Sequence, residues 1–128
     1  MRSARAAALL VPLLALALAG CGGAGDAYCS TLTENSDVAA TVFTPVIPGM
    51  VSVEQVEERL SLLGEVEDEV PSELQEDFTT WTEYLEEVGP LLDSEDSADV
   101  TGVIEAADDD VDAAGGALSD HYTGTCMD

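Results

Sequence analysis

The sequence predicts an all-α fold, a bundle of four helices joined by short loops. Two observations carry that prediction. Four stretches place apolar residues three and four positions apart, the spacing that lines one helix face, and no stretch shows the alternation of a strand. Prolines, glycines or acidic connectors separate the four, and such residues end helices. A chain of 128 residues is long enough for one core and one domain.

The N-terminal residues stand apart from the bundle. Arg2 and Arg5 make a basic start, and Ala6 to Ala19 is an apolar run interrupted only by Pro12. That run is shorter than the roughly 20 residues a membrane span needs. A basic start, a short apolar run and a small-residue exit are the layout of a secretion signal. The run ends in Leu18-Ala19-Gly20-Cys21, which resembles the lipobox of bacterial lipoproteins. The resemblance implies a diacylglycerol thioether on Cys21, fatty acids such as palmitate, and cleavage before that cysteine. Residues 1–20 are then the signal peptide, 21–26 the acylated cysteine and a flexible tether, and 27–128 the bundle. The implied location is the extracytoplasmic face of the cell membrane, lipid-anchored.

The first helix is expected from Ala27 to Phe43, capped by Asp26. Cys29, Leu32, Ser36, Ala39 and Phe43 share its inner face, with Tyr28 and Val42 beside them. Thr44-Pro45-Val46-Ile47-Pro48-Gly49-Met50 breaks it. Ser52 and Gln55 form a capping box for the second helix, whose buried stripe is Val53, Val56, Leu60, Leu63 and Val70. Pro71 ends that helix and opens the third. Leu74, Phe78, Trp81, Leu85, Val88 and Leu92 then alternate steps of four and three, the strongest heptad in the chain, with Trp81 at its centre. After an acidic connector, one helix is expected from Ala98 to Tyr122. Its stripe is Val100, Ile104, Ala107, Val111, Ala114, Leu118 and Tyr122. Gly115-Gly116 either kinks this helix or lets a neighbour come close.

The lipobox resemblance bears on the cysteines. With Cys21 acylated, Cys29 and Cys126 remain, an even pair in an oxidising compartment. A disulfide between them is expected, the alternatives being two free thiols or a metal pair. Its Cα atoms must lie within about 7 Å. An even number of up-and-down helices brings those two positions together, whereas an odd number separates them by a helix length. The reading becomes an up-and-down four-helix bundle closed by one disulfide. The cysteines then lie at the membrane-proximal end, and the loops at 44–51 and 90–99 form the distal tip. A cysteine early in the first helix, the Pro71, Leu74, Asp77 pattern and a terminal cysteine also loosely resemble small helical lipoproteins of actinobacteria. That resemblance implies the bundle and no activity.

Charge narrows the function classes. The chain has 27 acidic residues against three basic ones, a net charge of −24, and Arg59 is its only cationic side chain past residue 5. Nucleic-acid binding needs a basic footprint and is not expected. Attachment to anionic lipid must come from the acyl chains. Asp108-Asp109-Asp110-Val111-Asp112 suggests calcium, but an EF-hand loop needs Gly and Glu where Ala113 and Ser119 stand. Glu105, Asp108, Asp109 and Asp112 are left as a solvated helix face. His121 is the sole histidine and lacks the partners of a catalytic or metal set, so no metal, cofactor or enzymatic activity is expected. The expected function is a monomeric, lipid-anchored envelope protein that acts by protein–protein contact. Pro45, Val46, Ile47 and Met50 are its candidate partner surface. The alternative is a small-ligand or divalent-cation binding protein.

Overall fold

The computed structural model describes residues 23–127, and every regular element among them is helical. Leu18, Ala19, Gly20, Cys21 and the whole signal segment lie outside the described residues. No helix of the described residues is long and apolar enough to cross a membrane. Four rods build the bundle, and two of them are broken. The first rod is α1 (Gly23–Glu34) followed by α2 (Ser36–Val42). The second is α3 (Val53–Val66), extended by a tight turn at Glu67–Glu69. The third enters through a turn at Ser72–Leu74, continues as α4 (Gln75–Val88) and ends in a turn at Gly89–Leu91. The fourth is α5 (Ser97–Ala106), then α6 (Asp109–His121), closed by a wide π-type turn at Tyr122–Cys126.

Local chemistry explains where the rods begin and break. α1 is described from Gly23 onward, with Asp26 in its first turn and not at a cap. Asn35 separates α1 from α2. Its Nδ2 donates to the Thr31 carbonyl at 2.9 Å, and Thr33 Oγ1 donates to the Cys29 carbonyl at 2.7 Å. Such bonds offer the backbone an alternative to the helical ladder. The Ser52–Gln55 capping box is present in both directions and starts α3 as expected. The long helix expected over 98–122 is two helices, because Asp108 caps a new one: its Oδ1 accepts from the Val111 N–H at 2.9 Å. Asp109, Asp110 and Asp112 reinforce that start at the positive end of the helix dipole. Gly115 and Gly116 cause no break.

The breaks shift which side chains face inward. Val103 is buried and Ile104 is 61 % exposed, so the inner face of α5 is one residue away from the expected stripe. Ser36, expected inside, is exposed after the break at Asn35. The third rod matches its heptad up to Val88: Leu74, Phe78, Trp81, Leu85 and Val88 are all buried, with Tyr84 beside them, whereas Leu92 lies past the turn at Gly89–Leu91 and is only half-buried. Trp81 is fully buried, and its indole N–H donates to the Val42 carbonyl at 2.8 Å. A Cβ on Gly115 would lie 2.6 Å from Trp81 Cζ3, so the missing side chain lets α6 close on the indole.

Contacts at opposite ends fix the up-and-down order. Thr31 Oγ1 donates to Glu69 at 3.3 Å, and Arg59 donates to the Thr44 carbonyl at 3.0 Å, so the first two rods are antiparallel. Gly89 packs on Val56, Gly102 on Leu91 and Gly115 on Trp81, which orients the rest. The Cys29–Cys126 disulfide joins first and last rods with Cα atoms 4.8 Å apart. It spans a sequence separation of 97, for which the chain-entropy model gives about 4–5 kcal/mol.

Candidate functional site

Three features could carry function, one at each end of the bundle and one along its side. At the end away from the disulfide, the prolyl loop folds back onto the core. Val46 is buried and its backbone N–H donates to the Tyr84 hydroxyl at 2.8 Å. Gly49 adopts φ +83, which turns the loop. The Ile47 carbonyl accepts from the Met50 and Val51 N–H groups at 3.0 and 3.2 Å. This anchoring leaves Ile47 51 % exposed.

Beside Ile47 runs an apolar groove of about 470 Å³, walled by Pro45, Val46, Ile47 and Pro48 on one side and Val100, Ile104 and Ala107 on the other, with Asp112 at its edge. The structure therefore brings three of the four expected surface residues to one groove. Val46 serves there as an anchored floor, not as a free contact. Met50 does not join them; it is 75 % exposed on the far side of Gly49. Val100 and Ile104 were missed. Their helical spacing placed them in the core, and only the break at Ala107 turns Ile104 outward.

Arg59 lies beneath the same loop. It is 95 % buried, and its guanidinium donates to the Thr44 carbonyl. Burial pulls its pKa down, and the neighbouring Tyr84 draws it back up. Burying a cation is costly, and a hydrogen bond to a carbonyl offsets part of that cost. Here it ties the start of the prolyl loop to α3.

The second feature is an acidic trough between α4 and the fourth rod, about 720 Å³ in volume. Glu76, Asp77, Glu83 and Glu87 form one wall, and Glu105, Asp108 and Asp110 the other. The helix break disperses the expected Glu105, Asp108, Asp109 and Asp112 face: two of the four line this trough, and Asp112 edges the apolar groove. Carboxylates on facing walls attract cations without any one of them being singled out as acid or base.

The third feature is the disulfide itself. His121, in the last turn of α6, holds its Nδ1 4.0 Å from Cys126 Sγ. The Tyr28 ring meets the imidazole edge-on, with centroids 5.7 Å apart. The sequence shows no metal or catalytic partners for His121, and its place beside both cysteines is not legible from a spacing of five. Comparison of the chain with known families, curated proteins and solved structures finds no match in any of the three.

Proposed function

We propose that the protein is a lipid-anchored, extracytoplasmic interaction module that docks a partner through the apolar groove beside the prolyl loop. The observation that carries this reading is the pairing of exposed Ile47 and Ile104 across one groove, at the end of the bundle opposite Cys29. A lipid on Cys21, just ahead of α1, puts that groove on the side facing away from the membrane. Large apolar side chains paired on a surface are a common mark of a binding site. The carboxylate at the rim and the net charge of −24 favour a partner segment that offers an apolar side chain flanked by lysine or arginine.

The test uses the double substitution Ile47→Ser, Ile104→Ser. Both side chains are exposed, so the melting temperature should hold, while crosslinking in native envelopes should lose its partner. Retention of the same crosslinked partner would exclude the groove. Cys21→Ser should release the protein from the membrane fraction and abolish incorporation of labelled fatty acid; a variant that stays membrane-bound sinks the lipid anchor. The acidic trough supports a second reading, a divalent-cation binder. Calorimetry with Ca²⁺ that shows no site tighter than millimolar removes it.

A further inference from the structure

The chain end forms a cluster that the docking groove does not use. In a regular α-helix, two residues five apart point about 140° away from each other. The π-type turn at Tyr122–Cys126 widens the spiral and brings Cys126 back to the side of His121. Cys29 arrives from α1. One ligand atom each from Cys29, His121 and Cys126 falls within 4.8 Å of the others, and all three residues are half-buried, open to solvent reagents. Tyr28 walls the imidazole on one side, and its hydroxyl is buried without a hydrogen-bond partner among the described residues.

We propose that Cys29, His121 and Cys126 form a redox-gated site for a thiophilic divalent cation, zinc by its chemistry, closed as the disulfide and opened by a dithiol reductant. Two sulfurs and one imidazole nitrogen are one of the donor sets of open zinc sites, which leave the fourth position to water. Zinc–sulfur bonds of about 2.3 Å hold two thiolates roughly 3.8 Å apart. Cysteines whose Cα atoms lie 4.8 Å apart reach that separation by side-chain rotation. The opening step is thiol–disulfide exchange. The reductant's two thiols end as a disulfide, and Cys29 and Cys126 take up the two electrons and two protons as thiols. Zinc then displaces both thiol protons to solvent, binds the two thiolates and accepts the lone pair of neutral His121 Nδ1. The net charge of −24 enriches cations around the whole molecule, this end included.

The experiment uses the full chain carrying Cys21→Ser, so that reduction exposes two thiols only. Zinc binding is measured with a competing chelator, in the oxidised form and after phosphine reduction, over millimolar Mg²⁺ to occupy surface carboxylates. The reduced chain should bind one zinc per molecule at least about a hundredfold more tightly than the oxidised chain. Co²⁺ in place of zinc should show a sulfur-to-cobalt charge-transfer band. His121→Ala, which keeps the disulfide for folding, should weaken zinc binding by the reduced chain at least about tenfold. Far-UV circular dichroism covers loss of fold on reduction: if helicity falls, zinc should restore it. Equal zinc binding by both redox forms overturns the proposal. So does full affinity in His121→Ala, or zinc uptake by a reduced chain that stays unfolded.

Discussion

Tyr28 pairs full burial with a hydroxyl that has no partner among the described residues, a combination that costs about 1–3 kcal/mol. Tyr28→Phe removes the oxygen and keeps the ring. Thermal unfolding should show no loss and up to about 1 kcal/mol gained; a clear drop would reveal a partner for that hydroxyl. Burial also pushes the Tyr28 and Tyr84 hydroxyls above the ordinary tyrosine value of 10.0. In the unfolded chain both ionise near that ordinary value, while the folded chain holds them neutral. Their contribution is therefore complete below about pH 10 and is lost as pH rises beyond it. Tyr28→Phe should shift the alkaline unfolding midpoint upward, and an unchanged midpoint would show that Tyr28 does not drive it. Gly115 makes the opposite case, a missing atom that the core requires. A Cβ there meets the flat face of a buried indole that is itself fixed by its bond to Val42. Gly115→Ala should cost about 1–3 kcal/mol by overpacking, despite the better helix propensity of alanine. Gly116→Ala, with nothing among the described residues within 4 Å of its Cβ, is the matched control and should stabilise.

At the scale of elements, the fourth rod shows what decides the groove. Asp108 restarts the helix, and that restart turns Val103 inward and Ile104 outward. Asp108→Ala should remove the cap and cost about 1 kcal/mol. It should also weaken partner crosslinking, because the groove wall depends on the break. If the variant unfolds at the wild-type temperature, the cap is not what holds α6 in place. The same element marks how far the sequence could be read. The α4 heptad and the Ser52–Gln55 box were legible because they are local patterns with local causes. The break at Asp108 was not: a run of aspartates inside an apolar period reads as a wet helix face, and capping competes with continuation only once α6 packs on Trp81. For the site, Ile47 was legible as an apolar residue between prolines. Ile104, the acidic trough and the His121 cluster depend on which rods lie side by side, and a one-dimensional period carries no information on that.

For the whole molecule, charge and compactness oppose each other. The chain carries 27 acidic residues, and its one cation among the described residues, Arg59, is buried under the prolyl loop. Folding about 100 residues draws them from a radius of gyration near 30 Å to one near 13 Å, so repulsion among carboxylates is far greater in the native state than in the unfolded one. Seven of those carboxylates, Glu76, Asp77, Glu83, Glu87, Glu105, Asp108 and Asp110, line the one acidic trough. At pH 7, salt should therefore stabilise. The screening length falls from about 30 Å at 0.01 M to about 3 Å at 1 M, shorter than most separations between these groups. Relief of even about 1 kcal/mol raises the midpoint of a domain this size by roughly 4–8 °C. The measurement is a melting curve in NaCl from 0.01 to 1 M, repeated in tetramethylammonium chloride. Screening makes both salts act alike at equal ionic strength. A rise in sodium alone would assign the effect to ion binding in the trough, and a flat response in both would mean that repulsion is not what limits the stability of this fold.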